Sequence, residues 1–149
     1  MVAPGQIIYK ILTDDANVSA LIDSRVYPPI ATNPTGLPYV MYQVVSTDHV
    51  NDMGGASGLA NTLLQLESYA DTYGATIELA GECRDALHAI RDTLTINGDT
   101  VSFTIWLQRT LDDLGAPDTV NDTNIYRVVQ EYSIWHSESV LDISELPAT

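Results

Sequence analysis

Three histidines, one cysteine, a glycine-rich run and a group of aspartates are the places where this 149-residue chain could do chemistry. His49, His88 and His136 are far apart and show no zinc-ligand pairing of the His-Glu-x-x-His kind. His88 sits beside Leu87 within a helical pattern, and His136 follows Trp135 near a strand end; both read as ordinary boundary residues. Cys83 falls on the apolar stripe of the same helical pattern, which makes it a buried structural thiol and not a nucleophile. Gly54-Gly55-Ala56-Ser57-Gly58 has the glycine density of a phosphate loop. It lacks the Lys-Ser/Thr that would follow, and it leads into a strand pattern instead of a helix. Asp112, Asp113, Asp118 and Asp122 lack the alternation and closing glutamate of a calcium loop, so they read as a solvated acidic loop, with weak divalent-ion binding as the sharper alternative. No two carboxylates share a regular element as an acid/base couple. The expectation is no catalytic residue, no cofactor and no metal.

An interaction role fits better, because the unusual features are long loops and aromatics: Tyr39 or Tyr42, Tyr69, Trp106, Tyr132 and Trp135. Aromatic side chains are enriched at interface cores. Packing inside the monomer is the competing use for most of them.

The elements that must position these residues follow from periodicity. Ile7, Ile8, Ile11 and Leu12 have helical spacing, and Asn17 is placed to cap a further short turn carrying Val18, Leu21 and Ile22. Residues 25–29 are extended, since Tyr27 precedes a proline, and the proline-bearing stretch up to Pro38 is a loop. The β-branched and aromatic run 37–47 predicts a strand with two apolar faces, Tyr39, Met41 and Val45 on one and Val40, Tyr42 and Val44 on the other. Such a strand needs cover on both sides, from a helix and from a neighbouring subunit. Residues 48–60, polar and glycine-rich, are expected to be a flexible loop of about a dozen residues. Leu64, Leu66 and Ala70 then alternate with Gln65, Glu67 and Tyr69 in a second strand. Residues 72–94 predict one long helix with Ile77, Ala80, Cys83, Leu87, Ile90 and Leu94 in a stripe. Val101, Phe103, Ile105 and Leu107 alternate in a third strand, residues 111–124 form a second long acidic loop, and 125–138 is the last strand. The fold class expected is therefore α+β: a four-stranded, mainly antiparallel sheet packed with one long helix and a shorter N-terminal helix, in the order α-β-β-α-β-β. Residues 1–138 make a single domain, and 139–149 a C-terminal tail that pairs locally or stays mobile.

At this length the chain buries roughly 70% of the surface it exposes when unfolded. No apolar run approaches the ~20 residues of a membrane helix, the first residues do not read as a secretory signal, and a single cysteine fits a reducing cytoplasm. Twenty acidic against six basic residues give a formal charge of −14. That charge repels nucleic-acid backbones. It serves either as a solubility charge or as a surface past which DNA moves without adhering.

One order of pieces carries a family resemblance. Leu12-Thr13-Asp14-Asp15 closes the first helix and is followed by Val18-Ser19-Ala20-Leu21-Ile22. Arg25-Val26-Tyr27-Pro28 and a proline-bearing loop come next. Leu37-Pro38-Tyr39-Val40-Met41-Tyr42 then leads to Val45-Ser46, and Leu63 to Asp71 opens into the long helix. In this order the chain resembles the tail-completion, or tail-terminator, proteins of long-tailed bacteriophages, over residues 5–110 and more loosely over the last strand. The resemblance implies a non-enzymatic virion protein, made in the host cytoplasm, that forms a homo-hexameric ring on the tail. One face of the ring meets the tail tube protein and the other the head-closure connector. Genome DNA passes through the channel without specific binding, and no membrane is involved. In such a ring Arg25 and Tyr27 would hold the stiff loop, with Pro28, Pro34, Pro38 and Tyr39 shaping it. His49, Asp52 and Met53 in one long loop, and Asp112, Asp113, Asp118 and Asp122 in the other, would contact neighbours or tube. The alternatives are a head-closure (stopper or adaptor) protein, a class that tends to a β-barrel body where here a long helix splits two strand pairs, and a small cytoplasmic α/β enzyme or ligand-binding domain.

Overall fold

A computed structural model describes residues 2–28, 36–53, 55–113 and 125–137. Helix α1 (Pro4–Asp14) starts where Pro4 supplies a pre-set φ and the Gln6 side chain accepts from the Ala3 N–H at 2.7 Å. Ile7, Ile8 and Leu12 form its buried stripe. Helix α2 (Ala16–Ile22) is capped by Asp15 and not by Asn17: its carboxylate accepts from the Asn17 and Val18 N–H groups, each at 3.0 Å. The extended backbone of Asp15 is what breaks α1 from α2.

The fold is mostly β, and this corrects the expected α+β arrangement of four strands. Among the described residues six strands form one mixed sheet, curved into a half-barrel. They are β1 (Val26–Tyr27), β2 (Tyr39–Asp52), β3 (Gly55–Ala70), β4 (Ile90–Ile96), β5 (Asp99–Asp113) and β6 (Tyr126–Ser137), in the spatial order β1-β2-β3-β6-β5-β4. β1 runs parallel to β2, and every other neighbouring pair is antiparallel.

Three local points account for the difference. Residues 26–27, expected to be merely extended, join the sheet as β1 beside Val40 and Met41. The expected helix over 72–94 stops early: α3 spans Tyr73–Leu87. Ala89 takes a left-handed turn with φ 61°, and its N–H donates to the Ile105 carbonyl at 2.8 Å. His88 Nδ1 accepts from the Leu107 N–H at 2.9 Å. The chain is thereby captured by β5, and Ile90 and Leu94, which continued the helical spacing in sequence, become strand residues on the core side. Ile77, expected in the stripe, is exposed, and Thr76, Leu79, Ala80, Cys83, Ala86 and Leu87 are buried in its place. Residues 48–60 are likewise not a loop: β2 and β3 pair from Tyr39↔Tyr69 to Asp52↔Gly55, making one long hairpin that turns at Met53. Cross-strand backbone bonds outweigh the low strand preference of single glycines and aspartates once both arms are in register.

All three helices lie on one face. There Ile7, Ile8, Leu12, Val18 and Ile22 meet Leu79, Cys83 and Leu87 of α3 and Val40, Leu64, Leu66, Val101, Phe103, Ile105, Tyr132 and Ile134 of the sheet. Each fully buried aliphatic or aromatic side chain contributes about 1.5–3 kcal/mol, so this face supplies the main stability. The approach of α1 is close: a Cβ added to Gly5 would sit 2.5 Å from Tyr42 Cε2. The expected alternation of β3 and β5 holds, with Leu64, Leu66 and Ala70, then Val101, Phe103 and Ile105, on the core side.

Candidate interaction surface

The second face of the sheet has no helix over it among the described residues, and the candidate interface residues gather at its edges. Arg25 is the anchor at the β1 end. Its Nε donates to the Pro38 carbonyl at 2.9 Å, Nη2 to the Leu21 carbonyl at 3.4 Å, and Nη1 reaches Asp23 at 3.3 Å. One guanidinium thus ties the end of α2 to the start of β2, where the Leu37–Pro38 peptide bond is cis. The planar fork of arginine suits this task and an ammonium would not.

Tyr27 of β1 stands edge-on to Tyr39 at 5.8 Å, and Tyr39 stacks on Tyr69 at 4.8 Å. Glu67 organises the patch: it accepts from the Tyr69 hydroxyl at 2.7 Å and from Gln65 Nε2 at 2.9 Å, and pairs with Arg127 at 3.3 Å. Burial and the Glu67 carboxylate push the Tyr69 phenol up to about 12, and the same two causes raise Tyr39. Both phenols are therefore neutral at any physiological pH. A second pair, Arg109 and Glu131 at 3.7 Å, lies two residues further along. The open face so carries compensated charge, whereas Asp71, Glu78 and Asp85 place acidic charge on the exposed helical layer, where Asp14 is paired with Lys10 at 2.9 Å.

Further up the sheet, Trp106 and Trp135 are exposed, Trp106 edge-on to His88 at 6.0 Å and Trp135 lining a cleft of about 560 Å³. Its polar groups are Arg91, Asp92, His136 and the hydroxyls of Thr93, Ser102, Thr104 and Ser137. His136 is buried and engaged: Nε2 lies 2.8 Å from Thr62 Oγ1, which lies 3.0 Å from Thr47 Oγ1, and Nδ1 lies 3.1 Å from the Ser137 carbonyl. This relay stitches β2, β3 and β6 together. Cys83 is fully buried, with burial pushing its thiol up to about 12, and faces the otherwise unbonded hydroxyl of Ser68. Tyr132, expected among the interface aromatics, is core: it is fully buried, burial raises its phenol strongly, and its hydroxyl donates to Gln130 at 3.1 Å.

The remaining sequence candidates scatter. Pro28 is exposed just after β1, His49 is exposed in β2, and Met53 is fully exposed at the hairpin turn, with Asp52 the last residue of β2. Asp112 accepts from the Tyr73 hydroxyl at 2.8 Å, tying β5 to the start of α3, and Asp113 ends β5. Pro34, Asp118, Asp122 and the stretch 138–149 lie outside the described residues. Sequence reasoning missed Glu67 and Arg127, the pair beneath the tyrosine patch. No local signal marks it, because the two residues meet only through the pairing of β3 with β6.

Among the described residues no group of three or more acidic, histidine or cysteine side chains could hold a metal ion, and no helix is long and apolar enough to cross a membrane. No curated protein matches the chain. In fold it is similar to a chain of a solved structure described as the virion of a native gene transfer agent particle, with 18% identity, a TM-score of 0.61, and coverage of 89% of this chain and 95% of that one. Residues 6–137 match the family described as Tail completion protein gp17. The chain belongs to that family and is a structural tail-completion protein of the virion.

Proposed function

We propose that the chain closes into a homo-hexameric ring that caps the head-proximal end of a tail tube and presents the surface to which the filled head attaches. The family match over residues 6–137 carries this reading. One ring face meets the tail tube protein and the other the head-closure connector. The chain acts as a scaffold and not as an enzyme. In support, the cleft beside Trp135 holds mostly hydroxyls, and its one histidine is committed to Thr62 and the backbone.

A closing ring requires two different patches per subunit. The tyrosine end of the sheet, held by Arg25, is one candidate, with Tyr27, Pro28, Pro34, Pro38 and Tyr39. The hairpin around His49, Asp52 and Met53 and the segment with Asp112, Asp113, Asp118 and Asp122 are the others. A charge of −14 per copy has the sign that keeps DNA from adhering to a channel wall. The same charge opposes closure, so added salt or divalent cations should favour the ring. The helix that would have set this chain apart from head-closure proteins is shorter than expected, α3 at Tyr73–Leu87 standing between β1–β3 and β4–β6 in a mostly β fold, and the family match supports the tail reading over the head-closure one.

Native mass spectrometry at low and high ammonium acetate, with and without magnesium and purified tail tubes, tests the reading. A sixfold species is expected, favoured by salt. A stable dimer, or a monomer under every condition, tubes included, would sink it.

A further inference from the structure

The two edges of the sheet are stepped in opposite senses. On one edge β1 covers β2 only at Val40 and Met41, so β2 from Tyr42 to Asp52 has no strand beside it among the described residues. On the other edge β4 covers β5 only from Asp99 to Ile105, leaving Trp106–Asp113 uncovered. Through the registers, Ile90 of β4 stands level with Thr47 of β2, and β1 stands level with Leu111 and Asp112 of β5. Each protruding strand therefore lies at the height of the other edge's recess.

The near half of the uncovered part of β2 also lacks the devices that keep edge strands apart. From Tyr42 to Thr47 there is no charged residue and no proline, and Val44 and Val45 are 40% and 50% exposed, while Asp48 and Asp52 lie in the far half. Natural edges are normally blunted by charge, proline or cover, because unpaired N–H and C=O groups are a template for another strand. Two register shifts, between Val44 and Ser46 and between Val50 and Asn51, interrupt this one.

We infer that β4 of one copy pairs with the uncovered β2 edge of the next, continuing the sheet around the ring; this rests on the ring reading and names its subunit contact. Direction agrees. Four antiparallel steps separate β2 from β4, so the two run the same way, and rotation about an axis along the strands brings them together in parallel. The seven residues of β4 span about 23 Å at ~3.3 Å per residue, less than the stretch Tyr42–Asp52 that has no strand beside it among the described residues. Charge agrees as well. One cross-sheet row reads Asp48, Asn61, Trp135, Thr104, Arg91, and the next reads His49, Ala60, His136, Phe103, Asp92. Copies meeting at the level they hold in their own sheet set Arg91 against Asp48 on the open face and Asp92 against His49 on the helix face. Arg91 is exposed and has no carboxylate partner among the described residues.

The test mixes two chains, each with one introduced cysteine at positions the shared level sets side by side. One carries Val50→Cys and the other Thr93→Cys, or one Asp48→Cys and the other Arg91→Cys; the native Cys83 is buried and stays out of the reaction. Under mild oxidation, crosslinked dimers are expected from the mixture and not from either chain alone. In parallel, Asp48→Lys and Arg91→Glu, both at exposed positions, should each lower the ring fraction about tenfold or more, and their combination should restore it. Rings that form in the wild type while no mixture crosslinks would overturn the edge pairing and leave the ring reading standing. A double reversal no better than the single ones would overturn the Arg91–Asp48 contact. A wild-type chain that stays monomeric throughout would overturn both readings.

Discussion

Replacing Arg25 by alanine should cost the isolated chain more than a surface charge normally does. Its bond to the Pro38 carbonyl is charge-assisted and part-buried at 2.9 Å, a class that contributes about 1.5–3 kcal/mol. The 3.4 Å approach to Leu21 adds little, and the pair with Asp23, whose side chain is 83% exposed, adds at most about 1 kcal/mol. The expected loss is ~2–3 kcal/mol, which for a domain of this size lowers Tm by about 5–10 °C. Arg25→Lys should recover less than half, because one ammonium cannot reach three acceptors in a fork. Asp23→Ala should cost under about 0.5 kcal/mol. Urea unfolding followed by circular dichroism measures all three. If Asp23→Ala proves as costly as Arg25→Ala, the ion pair and not the clamp on Pro38 is what matters, and the reasoning fails. It fails equally if Arg25→Ala lies within about 0.5 kcal/mol of wild type.

Other expectations follow from strain and burial. Ala89→Gly should stabilise by about 0.5–1 kcal/mol in thermal melts, because a φ of 61° strains an alanine and suits glycine; a lower Tm would refute that. Cys83 should resist iodoacetamide at pH 8.5 in the folded protein and react once urea is added. Its thiol and the Tyr69 phenol are held protonated up to about 12 in the fold, against ordinary values of 9.0 and 10.0. The unfolded chain gives up these protons first, so the unfolding free energy should fall as pH rises from about 9 towards 12, by up to ~1.4 kcal/mol per pH unit for each proton. A flat or rising profile over that window would contradict the assignment.

Legibility was uneven, for physical reasons. The alternation of Leu64, Leu66 and Ala70 was readable because one buried face imposes period two on the chain. The cap of α2 was misplaced by two residues, since aspartate and asparagine both serve and only the backbone of Asp15 decides between them. Arg25 and Tyr27 were legible as a unit through the family pattern, whereas their partners, the Pro38 carbonyl and Tyr39, lie thirteen and twelve residues away across the stretch 29–35.

By itself the sequence determined the family, the acidic character, the core stripes of α1, β3 and β5, and the burial of Cys83, all of which rest on local periodicity, composition or the order of short pieces. Only the tertiary structure decided that residues 90–96 are a strand, that 48–60 is the far part of a hairpin, and that Glu67 and Arg127 meet beneath the tyrosines. Strand formation there depends on cross-strand partners, each segment being a hairpin arm paired from Ile96↔Asp99 out to Ile90↔Ile105 and from Asp52↔Gly55 out through His49↔Ala60. A three-to-four spacing of apolar residues suits a helix and an edge strand alike until β5 presents its unpaired carbonyl at Ile105 and takes the chain from α3.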